Sequence, residues 1–147
     1  MNVKYQAVIA CGGRGSRLKE ITKGLPKPLF PILGKSTLER IIIELVKFKI
    51  ENIIITIGYK RDYFEDFIKK IQIKYKINIF VFFEEIQMGE CGALWEFTNL
   101  LADHFIFING DLIFSIDFYK LEFFHKRLNS NLTLVTHLSD HPEDSDL

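Results

Sequence analysis

Two hydrophobic rhythms alternate along the chain. Residues 5–10 form a nearly continuous apolar run, the pattern of a strand buried on both faces. Comparable runs at 53–57, 77–83, 104–108 and 132–138 predict four more strands. Between them the spacing changes to the helical period. Leu38, Ile41, Ile42, Leu45, Val46 and Phe48 share one helix face, and Tyr63, Phe64, Phe67, Ile68 and Ile71 share another. Ser36 followed by Glu39 reads as a capping box for the first of these helices. A third helix is expected over about 90–101, with Trp95, Phe97 and Leu101 in the core. A fourth is expected to end near Arg127, with Asp117 as its cap. Alternating strands and helices without repeat or linker predict one α/β domain over 1–147, with a largely parallel sheet and helices on both faces.

Residues 11–33 break both rhythms. They carry three of the four prolines and, with Gly34, five of the nine glycines. A loop of this length in a compact domain is usually functional. The run Cys11-Gly12-Gly13-Arg14-Gly15-Ser16-Arg17-Leu18 puts bare backbone at the carboxyl end of the first strand, where N–H groups converge on phosphate oxygens. Arg17 and Lys27 add positive charge, and no acidic residue occurs before Glu20. This combination asks for a polyanion such as a triphosphate. It is not a dinucleotide fingerprint, because Leu18 stands where the third glycine belongs and no helix opens directly from the loop. It is not a P-loop either, since Gly-Lys-Ser/Thr is absent. Pro26 and Pro28 flank Lys27 and stiff backbone holds its ammonium. In open α/β sheets ligands bind beyond the carboxyl ends of the strands. Glu84 follows the third run and Asp111 the fourth, so both belong to the rim of the glycine loop.

Composition narrows the class further. The 147 residues are 48% hydrophobic and 26% charged with zero net charge, which argues against a nucleic-acid binder working by bulk electrostatics. No apolar stretch approaches the roughly 20 residues of a membrane span. Cys11 and Cys91 lack metal spacing and are expected as reduced thiols. The start, Met1-Asn2-Val3-Lys4, runs into a strand without a signal-peptide core, so a cytoplasmic location is expected. His104, His125, His137 and His141 are scattered and show no metal spacing.

Gly12-Gly13-Arg14-Gly15-Ser16-Arg17-Leu18, with Pro26-Lys27-Pro28-Leu29 and Pro31-Ile32, resembles the opening motif of the sugar-1-phosphate nucleotidyltransferases. Glu84 with Met88-Gly89-Glu90-Cys91-Gly92-Ala93-Leu94 looks like that family's base-binding segment, and Asn109-Gly110-Asp111 like its metal-binding strand end. Within the family the chain looks most like guanylyltransferases acting on D-glycero-D-manno-heptose 1-phosphate or mannose 1-phosphate. The resemblance implies a Rossmann-like three-layer α/β/α fold with a mostly parallel sheet. It also implies a reaction in which a sugar 1-phosphate attacks the α-phosphorus of a nucleoside triphosphate and releases pyrophosphate. Ala10 and the loop Gly12, Gly13, Arg14, Gly15 and Ser16 would bind the nucleotide, and Arg17 the β and γ oxygens. Lys27 would contact the reacting phosphates and Asp111 would hold Mg²⁺. Glu84 would accept from the base edge, which favours GTP because guanine offers two adjacent donors. Gly89 would let base or ribose lie on the backbone. A homo-oligomer is compatible with the family; nucleic-acid and membrane partners are not expected.

The chain departs from the family pattern at Glu90, where relatives have a small hydroxyl residue, and in length. Family members continue into a second metal-binding aspartate and most of the sugar pocket. Asp140, Asp144 and Asp146 lie in a polar tail and are not candidates for that ligand. The chain is therefore expected to be the nucleotide-binding portion of such an enzyme. The alternative is a non-catalytic nucleotide-binding or oligomerising remnant.

Overall fold

Four strands assemble the core. β1 (Tyr5–Cys11) lies between β4 (Asn52–Ile57) and β6 (Leu101–Asn109), and β5 (Asn78–Phe83) adds to the far side of β4, giving the order β5-β4-β1-β6. All three pairings are parallel. Short β2 (Pro31–Ile32) and β3 (Lys35–Ser36) form a separate antiparallel ribbon. These elements come from a computed structural model that describes residues 4–13, 22–89 and 91–136. The chain divides into two compact units, Met1–Ser115 and Ile116–Leu147, and the sheet belongs to the first.

The apolar runs form strands because β-branched residues fill both faces of the central pair. Val8 and Ile9 in β1, and Ile53, Ile54 and Ile55 in β4, are fully buried. Val8 pairs with Ile54 on one side and Phe107 on the other. Around Val8 and Ile54 cluster Ala93, Phe97 and Leu101, with Phe82 meeting Phe97 edge-on at 5.3 Å.

α1 (Thr37–Lys47) starts where expected: the Ser36 hydroxyl accepts from the Glu39 N–H at 3.1 Å. Leu38, Ile41, Ile42 and Leu45 form its buried face. The second half of the predicted capping box is not made. The Glu39 carboxylate instead accepts from Lys74 Nζ and the Tyr75 hydroxyl, both at 2.8 Å, joining the start of α1 to the end of α2 (Arg61–Tyr75). Burial alone pushes the Glu39 carboxyl up, but these hydrogen bonds and the Lys74 charge outweigh it and hold the carboxyl below its usual range.

Two expectations need correction. The predicted third helix is a 3-10 stretch, Gly92–Leu100, interrupted at Phe97 by non-helical backbone. The tighter period and the interruption turn Trp95 outward, 82% exposed, while Phe97 and Leu101 are buried. The predicted fifth strand is absent over 132–136, which have no regular secondary structure; His137 and Leu138 lie outside the described residues. Alternation is present there, but among the described residues this segment joins no ladder, and Leu132, Leu134 and Val135 stay exposed. In the second unit, α3 (Phe118–Arg127) is capped by Asp117, whose side chain accepts from the Lys120 N–H at 3.1 Å. Among the described residues no helix is long and apolar enough to cross a membrane.

Ile54→Ala is expected to lower unfolding free energy by about 3–4 kcal/mol in urea denaturation, the usual cost of truncating a fully buried side chain that cannot be repacked. Glu39 adds a pH signature. Its folded pKa lies below the unfolded one, so its stabilisation is present above the ordinary carboxylate range and fades as pH falls through the folded value. The urea midpoint of the unsubstituted chain should therefore exceed that of Glu39→Gln at pH 7, and the two curves should converge below about pH 4.

Candidate functional site

Parallel register builds the site. Cys11 pairs with Ile57, Ile57 with Phe83, and Ala10 with Asn109. Gly12, Gly58, Glu84 and Asp111 therefore emerge at one level along the sheet rim, with Gly110 one residue below, beside Cys11. Two backbone bonds extend the ladders past the strand ends: Glu84 N–H to the Ile57 carbonyl at 2.9 Å, and Gly110 N–H to the Ala10 carbonyl at 2.8 Å. Strand order reverses beside β1, because the chain proceeds from β1 to β4 and β5 and then returns to β6 on the other flank. The glycine loop leaves the sheet at this switch point, the usual ligand crevice of such folds.

On the β4–β5 side the rim is built by close approach. A Cβ on Gly58 would stand 2.6 Å from the Gly12 carbonyl oxygen, and one on Gly12 would stand 2.9 Å from Glu84 Oε1. Both positions exclude a side chain unless their neighbours move. Glu84 is 6% exposed, and among the described residues its Oε2 takes only a long 3.5 Å contact from the Met88 N–H. A buried carboxylate so thinly satisfied is an acceptor available to a ligand. Gly12, Gly58, Glu84, Glu85 and Gln87 line a small cleft there. Gly89, at φ +75, turns the backbone just beyond it.

On the β6 side Asp111 and Lys27 meet. Lys27 lies in a short 3-10 turn, Lys27–Leu29, opened by Pro26 and carrying Pro28. Its Nζ donates to Asp111 Oδ2 at 2.5 Å across 84 residues of sequence, with both side chains about 40% exposed. Beneath them Cys11 is buried and its thiol is pushed far up, by burial first and the Asp111 charge second, so it stays neutral and is no nucleophile. Gly110 completes this side: a Cβ there would fall 2.4 Å from Cys11 Sγ and 2.9 Å from the Ala10 carbonyl oxygen.

The structure thus brings together Ala10, Gly12, Lys27, Glu84 and Asp111, with Gly89 following Glu84 by one turn. Gly13 leaves the rim with open space where a Cβ would be. Arg14, Gly15, Ser16 and Arg17 lie outside the described residues, as does Glu90. Sequence reasoning missed Thr37. Its buried hydroxyl lies 3.2 Å from both the Pro28 and Gly110 carbonyl oxygens. The signal available was a second hydroxyl directly after the Ser36 cap. It also gave Gly58 no role.

Comparison with known proteins gives the family. Residues 6–146 match the family model described as nucleotidyl transferase. The D-glycero-alpha-D-manno-heptose 1-phosphate guanylyltransferase of Campylobacter jejuni is 40% identical over 121 residues, covering 80% of this chain and 52% of that protein. The enzyme of the same description from Aneurinibacillus thermoaerophilus is 34% identical over 135 residues, 88% of this chain and 56% of the other. Among solved structures, HddC from Yersinia pseudotuberculosis complexed with GMP-PN superposes with a TM-score of 0.72 at 32% identity, over 82% of this chain and 54% of that one. The chain spans about half the length of these relatives.

The close approach at Gly110 predicts a non-additive pair. Gly110→Ala should destabilise the chain by about 1–3 kcal/mol, as overpacking does. In a Cys11→Ala background the same change should cost less, because its nearest neighbour has gone. A double-mutant cycle by urea denaturation reads the coupling.

Proposed function

As the chain belongs to the nucleotidyl transferase family, we propose that it carries the nucleotide site of a sugar-1-phosphate guanylyltransferase, with heptose 1-phosphate or mannose 1-phosphate as acceptor. The Lys27–Asp111 pair at the switch point carries this reading. It sets a cation and a hard anion side by side at the mouth of a glycine loop, half open to solvent. Glu84 supports guanine, since its buried carboxylate offers two oxygens to adjacent N–H donors of one base edge. Glu84, just past β5, and Asp111, just past β6, lie on opposite flanks of Gly12, which suits a ligand with a base at one end and phosphates at the other.

In this assignment Gly12 and Gly13 present backbone N–H groups to the phosphates, and Arg17 binds the β and γ oxygens. Lys27 neutralises the α-phosphate and the incoming sugar phosphate, two anions that must approach each other before a bond can form. The sugar phosphate oxygen attacks in line, pyrophosphate leaves, and no protein nucleophile is required. Mg²⁺ suits the donor chemistry: Asp111 Oδ2 accepts from Lys27, whereas among the described residues Oδ1 has no partner, and a cation that keeps waters and phosphate oxygens needs few protein ligands. Bound there, the ion would screen phosphate charge. Among the described residues no three His, Cys, Asp or Glu side chains converge to hold a metal. A second reading is a nucleotide-binding form that does not turn over.

Pyrophosphate release from GTP, Mg²⁺ and each sugar 1-phosphate separates the two. Release supports the transferase; tight GTP binding without release identifies the binding form. Where release occurs, Lys27→Ala should lower kcat by about 10²–10³ while GTP affinity changes less than tenfold, consistent with loss of charge stabilisation at the reacting phosphates. Equal losses in both would place Lys27 in ground-state binding alone.

A further inference from the structure

We propose that Thr37 is a positioning residue that fixes the spacing of Lys27 and Asp111, an inference that rests on the transferase reading of their pair. Lys27 and Asp111 come from distant segments, and neither belongs to a regular element that contacts the other along its backbone. Thr37, the first residue of α1, is 6% exposed and reaches both segments. Its Oγ1 lies 3.2 Å from the carbonyl of Pro28, the residue after Lys27, and 3.2 Å from the carbonyl of Gly110, the residue before Asp111. One hydroxyl thus spans the two peptides that carry the charged pair.

Chain chemistry explains why a side chain is needed. In the 3-10 turn Leu29 N–H bonds to Pro26 and Phe30 N–H to Lys27. The next donor in that pattern belongs to residue 31, which is proline and has no N–H. The Pro28 carbonyl is left without its helical partner, and the Thr37 hydroxyl takes that place. The Gly110 carbonyl oxygen accepts from the same hydroxyl, while the Gly110 N–H bonds to the Ala10 carbonyl. A hydroxyl carries one proton, so the two carbonyls share it, and both stay within its reach only while the two segments keep their separation. Ser36 and the backbone of α1 anchor the hydroxyl in turn. Phosphoryl transfer is sensitive to such spacing, since displacements near 1 Å cost up to about 10²-fold in rate.

Thr37→Val keeps the shape and removes the hydroxyl; Thr37→Ser keeps the hydroxyl. In steady-state pyrophosphate release, Thr37→Val should lower kcat about tenfold with KM for GTP within threefold, and Thr37→Ser should lie within threefold of the unsubstituted chain in both. A purely structural role would lower the melting temperature in both variants without this split. Should Thr37→Val fail to fold, Thr37→Ala takes its place with the same expectation. Unchanged kcat in the hydroxyl-free variant, or equal loss in the serine variant, overturns the proposal. If the unsubstituted chain releases no pyrophosphate, the transferase reading fails separately, and the clamp is then read by NMR at pH 7. The Lys27 ¹⁵Nζ and Asp111 ¹³Cγ signals should move in the hydroxyl-free variant and stay in Thr37→Ser; coincident signals in all three proteins overturn it.

Discussion

The parallel register of four strands is the constraint on which the site depends. A parallel ladder fixes each strand end relative to its neighbours, and here it brings Gly12, Gly58, Glu84 and Asp111 to one level, with Gly110 one residue below. Three of these five are glycines, and the space around each shows why. At Gly58 and Gly110 an added Cβ meets backbone oxygen, and at Gly110 it also meets Cys11 Sγ, the side chain buried beneath the rim. At Gly12 it meets the buried carboxylate of Glu84. The rim is packed so tightly between strand ends that only backbone and a few polar atoms remain to meet a ligand. Apolar burial in β1 and β4 supplies the rigidity behind it.

Charge is distributed on this frame with little to spare. A half-exposed ion pair such as Lys27–Asp111 contributes about 0–1 kcal/mol to folding, so stability gives weak reason for its presence at the switch point. Its value is electrostatic: opposite charges held at short range, each with capacity left for phosphate oxygens or a hard cation. The neutral thiol of Cys11 beneath adds no competing anion. On the other flank, among the described residues, Glu84 lacks any close charged partner and accepts a long backbone bond. The two flanks therefore offer different chemistry, a buried acceptor on one and a charged pair on the other.

Much of this was legible in the sequence because it rests on local chemistry. Continuous β-branched runs announced β1 and β4, Ser36 announced the start of α1, and glycines after strands announced the rim. The switch-point rule then placed Glu84 and Asp111 at the rim of the glycine loop before any distance was known. What failed depended on context that periodicity does not carry. Trp95 sits at a plausible helical position, but a 3-10 period and the break at Phe97 rotate it into solvent. The 132–136 alternation had strand character without a partner strand to make it one. Glu39 was expected to bond its own helix start, yet Lys74 and Tyr75, brought close by packing, take its carboxylate instead.

Thr37 shows the same limit from the functional side. Its role follows from an absent N–H at Pro31 and from a carbonyl 73 positions away, and neither fact is visible in a window around residue 37. Prolines stiffen the Lys27 segment, but stiffness alone fixes shape within the segment and says nothing of where it lies against the sheet. A proline-rich turn also gives up the backbone donors that would normally tie it down. A segment built to hold a lysine rigidly therefore needs a tether from elsewhere, and a buried hydroxyl at a helix start is an economical one. It is small, its donor is directional, and the first turn of α1 already has a fixed place through its apolar face. The prolines and the threonine are two halves of one device, stiffness from the first and registration from the second.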